Sequence, residues 1–334
     1  MAGEVWLRLR IPKLIELETT VALFIFNRPD TTKLVFEAIR RARPRHLLII
    51  ADGPRAGHPA DDARCREARE VTKRVDWPCN VETDFSAINL GCGRRMSSGI
   101  SWAFERSPEV IFLEDDCLPA AGFFRFCSTL LEKYRDDDRV GMISGDCFLP
   151  ASLTCPDSYY FSRYAHIWGW AGWRRTWRLY DYGLSTLALA EQRGFFEDQF
   201  RSPEIGRYFY EKCLEVREGR LDTWDFQVTY SFLINSLLSI MPARNLISNI
   251  GFGPGATHTI SAEAPLANLP TFEPDDPLRH PPFVVPWRAA DRNTEDNIYG
   301  IVPAPTAEPV AGESLPARNF GASLFRLGGW RLKK

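Results

Sequence analysis

Val110-Ile111-Phe112-Leu113-Glu114-Asp115-Asp116 decides how the rest of the chain is read. Four apolar residues, β-branched and aromatic among them, end abruptly in three acids. A run this short with that composition predicts a buried strand of an α/β sheet. Its end then points into the crevice beyond the carboxyl ends of the strands, where such sheets bind ligands. Alternation along a strand puts Glu114 and Asp116 on one side and Asp115 on the other. Three carboxylates packed together repel one another unless a cation sits among them, and their hard oxygens suit magnesium or manganese. The competing reading is a solvated acidic turn after a strand.

The same grammar recurs on either side. Val21–Phe26 predicts a buried strand, followed by the turn Asn27-Arg28-Pro29-Asp30. Asp30 or Thr31 can cap the next helix, which carries Leu34, Val35, Ala38 and Ile39 at helical spacing and stops near Pro44. Leu47–Ala51 is a second strand, ending in Asp52-Gly53-Pro54; 59–75 reads as an exposed helix and 80–83 as a short third strand. Asn89-Leu90-Gly91-Cys92-Gly93-Arg94-Arg95 opens another helix. Beyond the acidic tip come a helix over about 120–134 and a strand over Val140–Ile143. Strands alternating with helices predict an α/β fold with a mainly parallel central sheet and helices on both faces.

After residue 150 the pattern changes. Tyr159–Trp173 is aromatic and interrupted by glycine, and fits neither a helix stripe nor a simple strand. Helices are expected over about 186–200 and 203–217, and Leu221–Gln227 opens another over 228–238. Ser231–Met241, the longest apolar stretch, is broken by Asn235 and serines; it reads as a buried helix, well short of the ~20 residues that span a bilayer. Asn245–Ile250 looks like a strand running into a glycine-rich loop, Gly251–Thr259. Later prolines suggest a segment wrapping the core as far as Tyr299. The expected organisation is a leader over 1–20, one domain over 21–300 and a tail over 301–334. Within the domain, the change of pattern after 150 divides a 21–150 half from a 151–300 half.

Composition narrows the class. With 334 residues, 45% of them hydrophobic and 25% charged, the chain is an ordinary globular protein. A net charge of -2 argues against a general nucleic-acid binder. The eight cysteines form no C-x-x-C pair, so they read as reduced thiols in a reducing compartment rather than zinc ligands. Met1-Ala-Gly-Glu-Val-Trp lacks the charged-then-apolar pattern of a secretory signal.

Several residues could carry chemistry. Asp52 ends a strand on the same edge as the acid cluster, as a base or ribose contact or as a plain turn aspartate. Arg28 is either a charge partner for a diphosphate or a surface arginine. Arg94 and Arg95 follow Gly-x-Gly at a helix start, a plausible anion site whose spacing matches neither a Walker loop nor a dinucleotide fingerprint. Asp225, between Trp224 and Phe226, reads as a desolvated carboxylate suited to accept a proton, or as a first-turn acid. His258 could touch a metal or phosphate. The tryptophans from Trp168 to Trp173 could stack on sugar rings or fill the core.

Taken in order, the blocks F-N-R-P, A-D-G, N-L-G-C-G-R, F-L-E-D-D, H-I-W-G-W, D-T-W-D-F-Q and N-L-I-S-N-I-G-F-G-P-G-A-T-H-T span roughly residues 21–260. Together the chain resembles a bacterial glycosyltransferase group of the GT-A, nucleotide-diphospho-sugar transferase fold. That group is related to the metal-dependent N-acetylglucosaminyltransferase that starts complex N-glycans. The resemblance implies a divalent cofactor, manganese or magnesium, with Asp116 as direct ligand and His258 beside it. It places Asp115 at the ribose or sugar, Glu114 against the transferred sugar, and Arg28, Asp52, Asn89 and Arg94 around the nucleotide. Asp225 becomes the general base of an inverting transfer, Trp168, Trp170 and Trp224 line the sugar pocket, and the 251–259 loop closes over the donor.

The function so implied is transfer of a hexosyl or N-acetylhexosaminyl group from a nucleotide-diphosphate sugar, with UDP expected. The acceptor would be a surface polysaccharide, lipopolysaccharide, glycoprotein or lipid-linked glycan. One alternative is a sugar-nucleotide pyrophosphorylase, which calls for a Gly-rich basic loop after the first strand; Asn27-Arg28-Pro29 is not that loop. Another is a non-catalytic saccharide-binding protein on the same fold. A cytoplasmic location is expected; Asn319–Lys334, apolar and basic, could rest on an anionic inner membrane face, but Gly328 and Gly329 weaken a helix there and favour a disordered tail.

Overall fold

The computed structural model describes residues 16–252 and 265–301. Ten strands form in chain order: β1 (Thr20–Ile25), β2 (His46–Ala51), β3 (Asn80–Phe85), β4 (Glu109–Glu114), β5 (Cys117–Pro119), β6 (Val140–Ser144), β7 (Tyr159–Ser162), β8 (Trp170–Trp173), β9 (Leu238–Pro242) and β10 (Ile247–Asn249). Eight of them make the central sheet, in the order β3-β2-β1-β4-β8-β6-β9-β7. β1, β2, β3 and β4 pair in parallel, as do β6 and β9; β8 and β7 run against their neighbours. β5 and β10 form a separate antiparallel pair. This is the expected α/β architecture with a mainly parallel sheet.

The helices are α1 (Pro29–Ala42), α2 (Pro59–Thr72), α3 (Cys92–Arg106), α4 (Phe123–Lys133), α5 (Arg174–Trp177), α6 (Leu187–Gln192), α7 (Phe195–Gln199), α8 (Pro203–Arg217), α9 (Asp225–Ile234) and α10 (Arg288–Asn293). Strand alternation decides which face each covers. Val21, Leu23 and Ile25 of β1 pack with Val35, Phe36 and Ile39 of α1 and Phe123, Cys127 and Leu130 of α4. Ala22 and Phe24 turn the other way, onto Met96, Ile100 and Phe104 of α3 and Val228 and Phe232 of α9. Both faces are therefore covered, and the sheet's polar groups can meet ligand only at its edge. The described residues belong to one compact unit.

Four expectations are corrected. The sheet starts at Thr20 and Leu17 bridges to Pro44, so 16–20 belong to the folded unit rather than to a leader. Neither Asp30 nor Thr31 caps α1; the helix starts with Pro29 at its first position, and Thr31 and Thr32 instead donate to the Arg28 carbonyl. The apolar stretch Ser231–Met241 is not one helix. α9 stops at Ile234, Ser236 takes a positive φ of 55°, and the chain re-enters the sheet as β9. Finally, the aromatic stretch yields two short antiparallel strands, β7 and β8, with β8 wedged between β4 and β6. All eight cysteines are free thiols. Among the described residues no helix is long and apolar enough to cross a membrane. Residues 253–264, which include His258 and most of the expected 251–259 loop, and residues 302–334 of the expected tail lie outside the described residues.

Candidate active site

β1, β2, β4 and β6 all deliver their carboxyl ends to one edge, which brings Arg28, Asp52, Glu114–Asp116 and Asp146 together there. β4 ends at Glu114, and Asp115-Asp116 turn into β5. The expected alternation therefore stops one residue early: Asp115 and Asp116 both face Arg28 rather than opposite sides. The Arg28 Nη1 lies 3.4 Å from Asp115 Oδ1 and also donates to Asp116 Oδ2. The Phe26 N–H donates to Asp115 Oδ2 at 3.1 Å, tying the acid tip to the end of β1.

Charge at this tip is unbalanced. Burial, then the neighbours Asp116 and Asp115, push the Glu114 carboxyl well up; burial and Asp116 do the same to Asp115. Burial works against the Arg28 charge, yet Asp115, Asp116 and Glu114 more than offset it and hold the guanidinium above its usual value. Three carboxylates thus face one resident cation. Their oxygens suit a hard divalent ion, and the repulsion that favours the protonated carboxyls would be relieved by one. No group of three or more His, Cys, Asp or Glu among the described residues forms a ready-made cage. Backbone also crowds the tip: Ile250 N–H donates to the Asp116 carbonyl at 2.8 Å, and a Cβ on Gly251 would fall 2.0 Å from Asp116 Oδ2. Only glycine lets the chain after β10 pass this close to the acids.

Asp52 has a different occupation from the one expected. Its Oδ1 accepts from the N–H of Gly53 (2.8 Å) and Leu90 (2.9 Å), and its Oδ2 from Asn89 Nδ2 (2.9 Å) and Gly91 N–H (3.2 Å). Burial pushes its pKa up while these backbone donors pull it back. Asp52 and Asn89 thus spend their polar atoms holding the 88–91 loop against β2, leaving a ligand nothing unengaged on the Asp52 carboxylate but spare lone pairs. Arg94 is exposed, and Arg95, beside it, is buried and paired to Asp84 Oδ2 at 2.7 Å.

The start of α3 is not an open anion site. Asp222 fills it, accepting the Cys92 N–H on Oδ2 (2.8 Å) and the Gly93 N–H on Oδ1 (2.9 Å). This residue was missed in the sequence, although the paired glycines were a signal of close backbone approach. Asp222 leads directly into Asp225, which opens α9 half-buried. Thr223 Oγ1 donates to Asp225 Oδ1, and Gln227 Nε2 holds the Thr223 carbonyl at 2.8 Å.

Of the three tryptophans expected at the sugar, Trp170 and Trp224 are core. Trp170 stacks on Phe112 at 4.4 Å and lies 5.9 Å from Trp224, which is 2% exposed. Trp168 keeps exposed surface and packs edge-on to Phe252, next to Gly251. A second missed pair lies beside it. Asp146, just past the end of β6, accepts from Ser144 Oγ (2.7 Å) and the Trp168 N–H (3.1 Å), with buried His166 Nδ1 3.4 Å away.

No family model matches the chain, and no curated protein matches it. Among solved structures, Staphylococcus aureus TarS (residues 1–349) is similar at 9% identity and a TM-score of 0.38 over 69% of this chain and 59% of that one. This chain thus spans less than two thirds of that structure's length. Mouse xyloside xylosyltransferase 1, in its apo form, gives 11% identity and a TM-score of 0.35 over 66% and 83%. A UDP-glucose pyrophosphorylase complexed with UDP-glucose gives 8% and 0.30 over 67% and 90%. At such scores these likenesses say nothing about activity, and the α/β fold rests on the sheet itself.

Proposed function

We propose that the protein is a metal-dependent, inverting glycosyltransferase. It moves a hexosyl or N-acetylhexosaminyl group from a nucleotide-diphosphate sugar, with UDP the expected nucleotide, to a hydroxyl of a cell-surface glycan. The observation that carries this reading is the acid tip of β4: Glu114, Asp115 and Asp116 at the ligand-binding edge, with Arg28, paired to Asp115 and Asp116, the one cation in contact there among the described residues.

A bound divalent ion would supply positive charge against the leaving diphosphate. Asp116 would hold it, and Asp115 would face the ribose or sugar. Arg28 is planar and already at the tip, so it can turn from Asp116 to diphosphate oxygens and stabilise charge where it forms. Asp225 accepts the proton of the acceptor hydroxyl, with the Thr223 hydroxyl fixing the direction of its carboxylate. Attack from the face opposite the leaving group inverts the anomeric centre. A pyrophosphorylase is disfavoured because only Phe26-Asn27-Arg28 separate β1 from α1, too short a connection and without glycine for a Gly-rich basic loop.

The test is UDP binding by calorimetry and UDP-sugar turnover, each with manganese and with EDTA, on wild type and Asp116→Ala. Binding and turnover should need the metal and be lost in the variant. Turnover indifferent to chelation and to Asp116→Ala overturns the metal role, and no UDP binding under any condition overturns the donor assignment.

A further inference from the structure

A second surface opens beside the base-bearing segment. Arg94, Ser98 and Ser101 are four and three residues apart along α3, so they line one stripe of that helix. Opposite them stand Trp177, Arg178, Tyr180 and Tyr182, from α5 and the turn that follows. Between the two walls runs a solvent-open groove of roughly 620 Å³.

Three features define what it suits. First, no carboxylate lines it, and neither Arg94 nor Arg178 forms an ion pair among the described residues, where Arg28, Arg55, Arg95, Arg106 and Arg135 all do. Second, the serine hydroxyls already donate to helix carbonyls, Ser98 to Arg95 at 3.2 Å and Ser101 to Ser97 at 2.8 Å. Each also accepts one protein donor, Ser98 from Arg95 Nη1 at 3.4 Å and Ser101 from Trp177 Nε1 at 2.9 Å, which leaves one lone pair on each oxygen to accept from a ligand's hydroxyl groups. Third, Trp177 and Tyr180 stack at 4.1 Å and make a rigid aromatic wall, which Tyr182, 42% exposed, extends outward. Aromatic faces suit the C–H faces of pyranose rings, serine oxygens suit their hydroxyls, and unpaired guanidinium groups suit a carboxylate or phosphate. The groove also has a direction. The Tyr180 hydroxyl donates to the Trp224 carbonyl at 3.4 Å, and Trp224 immediately precedes Asp225.

We propose that this groove is the acceptor subsite and that it takes a saccharide carrying an anionic substituent, carboxylate or phosphate. The inference rests on the transfer reading above for the word acceptor, but the groove's chemistry is testable without it. Anionic groups would be read by Arg94 and Arg178, ring faces by the aromatic wall, and the chain's hydroxyl end would be led toward Asp225.

The experiment is calorimetry on the full chain with four probes: a galacturonate hexamer, a mannose-6-phosphate-terminated trisaccharide, neutral maltohexaose and inorganic phosphate. UDP with manganese is titrated into the same samples. At least one anionic saccharide should bind about tenfold or more tighter than maltohexaose, roughly what two exposed charge contacts supply. Arg178→Glu should remove that preference while leaving UDP affinity unchanged, and Tyr182→Ser should weaken all saccharides alike. Equal binding of neutral and anionic saccharides, or an Arg178→Glu protein that still prefers anions, overturns the proposal. So does inorganic phosphate binding as tightly as the phosphosaccharide. Selective saccharide binding without UDP binding supports the groove and sinks the transfer reading; UDP binding without saccharide binding does the reverse.

Discussion

Asp222 and Gly93 are joined across 129 residues of chain, the carboxylate Oδ1 accepting the glycine N–H at 2.9 Å at the start of α3. A Cβ on Gly93 would lie 2.5 Å from the Thr223 carbonyl oxygen and 2.9 Å from Asp222 Oδ1. The contact does two things. It satisfies N–H groups at the helix start with a negative charge, as a cap does, and it anchors the segment that carries Asp225. Asp222→Ala should cost about 1 kcal/mol in urea unfolding and lower turnover more than donor affinity. Gly93→Ala should cost more, since backbone must move. An Asp222→Ala protein with unchanged turnover would make the contact purely a helix cap.

Asp225 is argued as the proton acceptor from its place at the start of α9 and its link to Thr223. Asp225→Asn keeps size and hydrogen bonding but cannot take a proton. Turnover should fall by about 10²–10⁴-fold, with UDP affinity within about twofold of wild type. If UDP affinity falls in step with turnover, Asp225 belongs to donor binding instead.

How far these residues could be read in advance follows from the range over which each interaction acts. β1, β2 and β4 were legible because a strand buried on both faces must be a short apolar run bounded by turn residues, as Val110–Leu113 is. β8 was not. Trp-Ala-Gly-Trp has no period of its own, and its place follows from pairing with Phe112 on one side and Ser144 on the other. The acids of the tip were legible as residues, but their geometry was not, because Arg28 reaches them from 88 residues upstream and β4 ends at Glu114. Trp170 and Trp224 were open between sugar contact and core, and packing on Phe112 decided for core. The paired glycines signalled a close approach at the start of α3, but not that Asp222 would make it, because 130 residues separate Asp222 from Cys92.

Asp291 provides a pH test remote from the acid tip. It is 5% exposed, accepts from Ser162 Oγ at 2.6 Å, and leaves Oδ2 buried without a partner among the described residues. Burial pushes its pKa up to about 6, against about 3.9 unfolded. The folded state therefore holds more protons between those values, so stability falls as pH rises from about 4 to about 6 and stays lower above. The size is on the order of 3 kcal/mol. Asp291→Asn should flatten this part of the stability profile, measured by urea unfolding across pH 4–7. An unchanged slope would place the titration elsewhere.

Arg28 is the resident counter-charge of the tip, and its removal should reveal what the acids are for. Breaking a fully buried pair by deleting one partner costs about 3–5 kcal/mol; Arg28 and Asp116 keep 19% and 15% of their side chains exposed, so the cost here falls below that range. Arg28→Gln should therefore melt below wild type in metal-free buffer. Manganese should then raise its Tm more than it raises that of wild type, because in the free protein Arg28 and the ion compete for Asp116. Mass action gives the scale: about 2.7 kcal/mol at a hundred times the dissociation constant. UDP affinity should still be weaker in Arg28→Gln, since the guanidinium that would meet the diphosphate is gone. Adding Asp116→Asn to Arg28→Gln should abolish the manganese response. A response that survives that second change would put the ion somewhere other than the end of β4.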